Sequence, residues 1–112
     1  MTTLLILLSN SSEKASLALN LAASSEEKGV NTTVFLVEDG VFVARKGQKE
    51  KDNANVLGVQ DLIDRGINIL AEDVSLKARG ISSEKIAKDV KVSTLDELVD
   101  ITMEKSDRTV WF

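Results

Sequence analysis

Two pairs of carboxylates stand where this chain could do chemistry, Glu38-Asp39 and Glu72-Asp73. The residues that lead into them repeat. Gly29-Val30-Asn31 runs into Val34-Phe35-Leu36-Val37, which stops at Glu38-Asp39-Gly40. Gly66-Ile67-Asn68 runs into Ile69-Leu70-Ala71, which stops at Glu72-Asp73. Acids at neighbouring strand ends form a rim suited to a cation or to the basic surface of a partner. The plainer reading is local: Asp39 turns the chain with Gly40, and Glu72 or Asp73 caps the next helix. With no histidine in the chain, a hard-cation site would rest on carboxylates and carbonyls alone, and no spacing calls for one.

Other residues offer weaker signals. Asn10-Ser11-Ser12 precedes a helical pattern, where free backbone N–H groups can hold an anion. The stretch lacks the glycines of a phosphate-binding loop, so simple capping accounts for it. Arg45, Lys46, Lys49 and Lys51 fall close together, as an RNA contact or as a solvated loop. Arg79-Gly80 reads as a helix end, a cation near the negative dipole end followed by a glycine stop. Trp111 and Phe112 are two of only four aromatic residues, and they close the chain. Aromatic side chains serve cores and interfaces alike.

Absences narrow the chemistry. There is no Cys, which removes disulfides, thiolate nucleophiles, persulfide carriage and cysteine-type zinc sites. There is no His, so acid–base work near neutral pH falls to a perturbed Asp, Glu or Lys. No carboxylate can be tied from sequence to a base, nucleophile or metal, and no catalytic residue or cofactor is assigned. Eighteen acids against fourteen bases give a net charge of −4, which argues against general nucleic-acid binding. The apolar start Leu4 to Leu8 is too short to span a membrane and lacks the basic flank of a signal peptide. The expectation is a cytoplasmic protein of one domain, residues 1–112.

The elements that position these residues alternate. Leu4 to Leu8 reads as strand one. Asn10, with Glu13 three residues on, reads as the cap of a helix carrying Ala15, Ala18, Leu19 and Ala22. Strand two is the run before Glu38, apolar enough to be buried on both faces. Val41-Phe42-Val43-Ala44 is one helical turn or a strand extension, and lies where few side chains of the fold are expected to cover it. A polar loop over 45–55 precedes a helix marked by Val56, Val59, Leu62 and Ile63. Strand three spans 67–71, and a short helix runs to Arg79. Val90-Lys91-Val92 is a short strand four. Thr94 to Glu97 is a T-x-x-E capping box opening a helix with Leu95, Leu98, Val99 and Thr102 on one side. Thr109 to Phe112 is strand five. Five strands alternating with four helices predict a three-layer α/β/α sandwich with a mainly parallel sheet.

Three segments resemble the DsrE/DsrF/DsrH sulfur-relay family, whose tRNA-thiolation members are TusD, TusC and TusB. They are Phe35-Leu36-Val37-Glu38-Asp39-Gly40-Val41, Leu76-Lys77-Ala78-Arg79-Gly80-Ile81-Ser82, and the stretch from Val90 to Phe112 with Leu98-Val99-Asp100-Ile101-Thr102 and Trp111. Within the family the pattern is most similar to the DsrH/TusB branch. The resemblance implies a parallel five-stranded sheet and membership of a sulfur-transfer complex. The implied partners are DsrE/DsrF-like (TusD/TusC-like) subunits, one bearing the persulfide cysteine, or further copies of the chain. In the catalytic branch that cysteine follows strand three, upstream of the Arg-Gly pair. Here the region reads Glu72-Asp73-Val74-Ser75, so the role does not carry over. The expected part is a non-catalytic, oligomeric subunit in tRNA 2-thiouridine synthesis or sulfur oxidation. Its interface would draw on Glu38, Asp39, Gly40, Phe42, Glu72, Asp73, Arg79, Trp111 and Phe112. The alternative is a self-assembling small-molecule or anion-binding module using Asn10, Ser11 and Ser12.

Overall fold

A computed structural model describes residues 2–45 and 58–112. Strand β1 (Thr3–Leu8) leads into helix α1 (Glu13–Glu27) and strand β2 (Asn31–Leu36). A 3-10 turn, Glu38–Ala44, follows, then α2 (Val59–Asp64), β3 (Asn68–Glu72) and α3 (Asp73–Ala78). After a short 3-10 turn at Ser83–Lys85 come β4 (Lys91–Ser93), α4 (Leu95–Asp100), a π-helical turn at Ile101–Lys105, and β5 (Arg108–Trp111). The sheet order is β4-β3-β2-β1-β5, and every pairing is parallel. All five strands therefore present their carboxyl ends at one edge.

The layers follow from handedness. From β1 to β4 the chain advances across the sheet in one direction, and right-handed crossovers keep those helices on one face. The step from β4 to β5 reverses direction, which sends α4 over the opposite face. On the first face, Ile6, Leu8, Val34, Leu36, Ile69 and Ala71 meet Ala15, Ala18, Leu19, Ala22 and Ala23 of α1 and Val59, Leu62 and Leu76. The alanines let α1 lie close to the strands. On the second face, Leu5, Phe35, Val37 and Leu70 are covered, among the described residues, by Leu98 and Ile101, with half-buried Leu7 beside them. The predicted double burial of Val34 to Val37 holds, with none more than 8% exposed.

The C-terminus is held by the sheet. The Phe112 N–H donates to Leu7 O at 2.8 Å, and the Ser9 N–H donates to Phe112 O at 2.8 Å. At the other end of β5, Asp107 Oδ2 accepts the Thr3 N–H at 2.9 Å. The Thr3 hydroxyl shares its proton between Lys105 O at 2.9 Å and that carboxylate at 3.2 Å. These bonds hold Asp107 below its ordinary pKa of 3.8, the Thr3 N–H most and the Thr3 hydroxyl next.

Four expectations change. Asn10 does not cap α1: Ser12 is the N-cap, and its hydroxyl donates to Asn10 Oδ1 at 2.7 Å instead of a helix N–H meeting Asn10. The T-x-x-E box is half formed. Thr94 Oγ1 accepts the Glu97 N–H at 3.2 Å, while the Glu97 carboxylate takes the Ser93 hydroxyl at 2.6 Å. Ser93 is buried, so its donor needs that partner more than the exposed cap does. Of the α4 residues read onto one side, only Leu98 meets the sheet, together with Ile101, whereas Leu95, Val99 and Thr102 are exposed. A lone helix on a sheet face needs only the two-residue seam it presses down. Finally, Val41 to Ala44 is not a bare apolar patch. Val41 and Ala44 are fully buried, and Phe42 and Val43 pack against the first-face core. The expected start of α2 at Val56 and the loop positions Lys46, Lys49 and Lys51 lie outside the described residues.

Candidate functional site

β2 and β3 are neighbours, so the two acidic tips meet as expected. The turn after β2 is tight. Val37 N–H donates to Leu8 O at 2.9 Å, and Gly40 N–H donates back to Val37 O at 2.9 Å. A Cβ on Gly40 would stand well inside contact distance of the Leu8 carbonyl oxygen, so only glycine fits. To bring Gly40 there, Glu38 takes φ +49°, the one positive value among described non-glycine residues. For a residue with a Cβ this conformation costs roughly 1–2 kcal/mol.

Ser75 holds that turn. It is buried on the first turns of α3, where its Oγ accepts the Glu38 N–H at 2.8 Å and donates its proton to Glu72 Oε1. Glu72 is the N-cap residue of α3, and Asp73 Oδ1 accepts the Val74 N–H at 2.7 Å. The other clamp is Arg79. Its Nε donates to Asp39 Oδ1 at 3.0 Å, and its Nη1 donates to Ser75 O at 3.2 Å. Arg79 thus satisfies a carbonyl near the C-terminus of α3 and reaches across to the 3-10 turn. Gly80 follows with φ +66°, the left-handed residue that ends α3. Glu38, Asp39, Gly40, Glu72, Asp73 and Arg79 therefore form one cluster with Ser75 at its centre.

The remaining expected site residues lie apart. Phe42 is half-buried and packs against the core on the first face. Trp111 and Phe112 sit at the tip of β5, two strands from β2, which is about 10 Å. They behave differently. Phe112 packs against the core, whereas Trp111 is exposed, its indole Nε1–H donating to Ser9 Oγ at 3.2 Å. The Ser9 hydroxyl passes its own proton to Phe112 O at 2.8 Å. Asn10, Ser11 and Ser12 border this second tip, at the N-terminus of α1.

Ser75 is the residue that sequence reasoning missed. Its signal was present, a Glu at the N-cap followed three residues later by Ser, the reverse of the usual capping order. Chemically, the cluster is a polar rim. The Ser75 oxygen spends its donor on Glu72 and an acceptor site on Glu38, so both of its hydrogen bonds pin the turn after β2 to the start of α3. Among the described residues no three carboxylates gather closely enough to hold a metal ion. Nor is any described helix long and apolar enough to cross a membrane.

The DsrE/DsrF-like family model matches residues 2–112. The chain belongs to that family. It is 35% identical over 101 residues to the uncharacterized protein MK0008 of Methanopyrus kandleri, covering 89% of this chain and 83% of that one. It is 32% identical over 101 residues to the uncharacterized protein MJ0989 of Methanocaldococcus jannaschii, covering 89% and 88%. Among solved structures, the ychN protein of E. coli superposes with a TM-score of 0.80 at 25% identity, covering both chains completely. The protein MTH1491 of Methanobacterium thermoautotrophicum superposes with a TM-score of 0.74 at 16% identity, again over both whole chains, a likeness of fold. The three-layer parallel fold read from the sequence is the fold the chain shares with these two solved structures.

Proposed function

We propose that this chain is a non-catalytic subunit of an intracellular DsrEFH- or TusBCD-like sulfur-transfer assembly. Its part is to hold and present a cysteine-bearing DsrE- or DsrF-like subunit. One observation carries the reading: a member of the DsrE/DsrF-like family that contains no cysteine at all. Sulfur relay passes a persulfide between thiolates, so a cysteine-free member can support the relay only through contacts. The segment after β3, where the resemblance puts the catalytic cysteine, supports the same reading. There Ser75 is engaged in pinning the Glu38 turn, and Arg79 in fixing Asp39. Such a clamped polar rim suits docking, because little side-chain freedom remains to be lost on contact. The DsrH/TusB-like pattern at the three quoted segments favours that branch.

The test is affinity purification of the chain from its native host, followed by mass spectrometry. A stoichiometric DsrE- or DsrF-like partner with a cysteine after its third strand is the expected result. Recovery of the chain with no such partner defeats the proposal.

A further inference from the structure

At the amino ends of β2 and β3, on the edge of the sheet opposite the acidic rim, lies a cavity of about 240 Å³. It opens between the segments that end α1 and α2 and begin the two strands. Its wall includes Glu26, Gly29, Asn31, Thr32, Arg65 and Gly66. Glu26 is the member that the fold does not require. Ala15, Ala18, Leu19 and Ala22 form the buried stripe of α1, and Glu26 continues that stripe one turn beyond Ala22. The pattern calls for an apolar residue there, and a half-buried carboxylate takes its place. Glu26 also stands in the last turn of a 15-residue helix, at the negative end of the dipole, and that turn holds no basic residue. Its carboxylate has no hydrogen bond or ion pair with any described residue. The acids beside it are compensated. Glu27 Oε1 accepts from Arg65 Nη1 at 2.8 Å, and Asp64 Oδ1 accepts from the Gln60 amide at 3.0 Å. Lys28 is exposed and stands outside the described wall.

We propose that this cavity binds a small aliphatic amine, with its ammonium group on the Glu26 carboxylate. Charge decides the sign of the ligand. An unpaired carboxylate at the carbonyl end of a helix, itself worth about half an elementary negative charge, attracts a cation. The donor set decides its kind. A hard divalent ion takes about six or more oxygen ligands, and among the described residues no three acids gather to supply them. An ammonium group has only its N–H bonds to satisfy. Glu26 offers a charged acceptor, and the Asn31 side-chain carbonyl is without a partner among the described residues. The Thr32 hydroxyl gives its proton to Val30 O at 3.1 Å, which leaves its oxygen to accept. Arg65, the other cation of the wall, is occupied by Glu27. Size limits the ligand. A volume of about 240 Å³ holds about eight water-sized atoms at roughly 30 Å³ each, the scale of a short alkyl amine or diamine. The inference is independent of the sulfur-relay reading, which concerns the other edge of the sheet and survives either outcome.

The experiment is titration of the intact chain with 1,4-diaminobutane, followed by backbone amide NMR shifts and calorimetry. Uncharged 1,4-butanediol and magnesium chloride at matched ionic strength are the comparisons. The diamine should saturate a single site and move the amide signals of Gly29, Asn31 and Gly66. The diol should leave those signals in place, and magnesium should not displace the diamine. Glu26→Gln should weaken binding about tenfold or more, the loss expected for one hydrogen bond to a charged group. Glu13→Gln removes the same charge from the exposed far end of α1 and should bind as the parent does. Asn31→Asp adds a charge to the wall and should tighten binding. Thermal unfolding verifies that each variant folds. Four results each overturn the proposal: no shift at the three amides, a diol that binds as tightly as the diamine, displacement of the diamine by magnesium, or equal losses in Glu26→Gln and Glu13→Gln.

Discussion

Replacing Ser75 with alanine removes the one side chain that joins both acidic tips. The Glu38 N–H, part-buried, loses an acceptor at 2.8 Å, and Glu72 loses a donor. A buried donor left unsatisfied costs about 1–3 kcal/mol, whereas the half-exposed Glu72 carboxylate recovers water at little cost. The methyl group fills nearly the space of the serine, so no cavity adds to the bill. The expected loss is about 2 kcal/mol, a large part of a typical domain stability of about 5–15 kcal/mol. For a domain near this length the melting temperature should fall by roughly 8 °C. Urea unfolding followed by circular dichroism reads the loss as a shift of midpoint at unchanged slope. Ser75→Cys is the comparison. Sulfur is a weak acceptor, so the loss should be smaller but present, about 1 kcal/mol. A Ser75→Ala midpoint within about 0.5 kcal/mol of the parent would refute the reasoning, because surface changes that touch nothing fall in that range.

Further outcomes follow from the same geometry. Glu38→Gly should stabilise the chain by about 1 kcal/mol, since glycine adopts φ +49° without strain; unchanged or lower stability in urea contradicts it. Gly40→Ala should destabilise by about 3 kcal/mol or block folding, because the new methyl group meets the Leu8 carbonyl, and soluble yield together with the unfolding midpoint reads this. Asp107 supplies a pH dependence. Its folded pKa lies below the ordinary 3.8, so its contribution is complete above that value and disappears as pH falls below it through the folded pKa. Asp107→Asn should therefore flatten the stability profile at acid pH while leaving its shape near neutrality, as measured by urea midpoints down to about pH 2.

Much of the fold was legible because its signals were local and redundant. The apolar runs at Leu4 to Leu8 and Val34 to Val37 could be satisfied only by strands buried on both faces. The two glycine-strand-acid units declared their parallel relation. What escaped depended on contacts between segments distant in sequence. Nothing near Ser75 reveals that its hydroxyl meets the Glu38 backbone, because that contact exists only once β2 and β3 are adjacent. The same holds for Phe42, whose packing against the core depends on a 3-10 turn that four residues of periodicity could not specify. The orientation of α4 escaped for another reason. Leu95, Leu98, Val99 and Ile101 occupy more than one face of a short helix, and the sheet selected the Leu98–Ile101 seam. That the two acidic tips stand side by side was legible, with a turn at Asp39-Gly40 and a helix cap at Glu72 or Asp73 as the plainer reading, and Arg79 was read as a helix end; the Arg79–Asp39 bond that joins them was not.

The central claim is that this chain supports sulfur transfer without carrying sulfur. The most direct measurement is transfer of radiosulfur from a persulfide donor through the complex isolated from the native host, resolved without reducing agent, with and without this chain. The account predicts label on the cysteine of the DsrE- or DsrF-like partner, none on this chain, and markedly slower onward transfer when this chain is left out. Onward transfer that proceeds at the same rate in its absence would contradict the account.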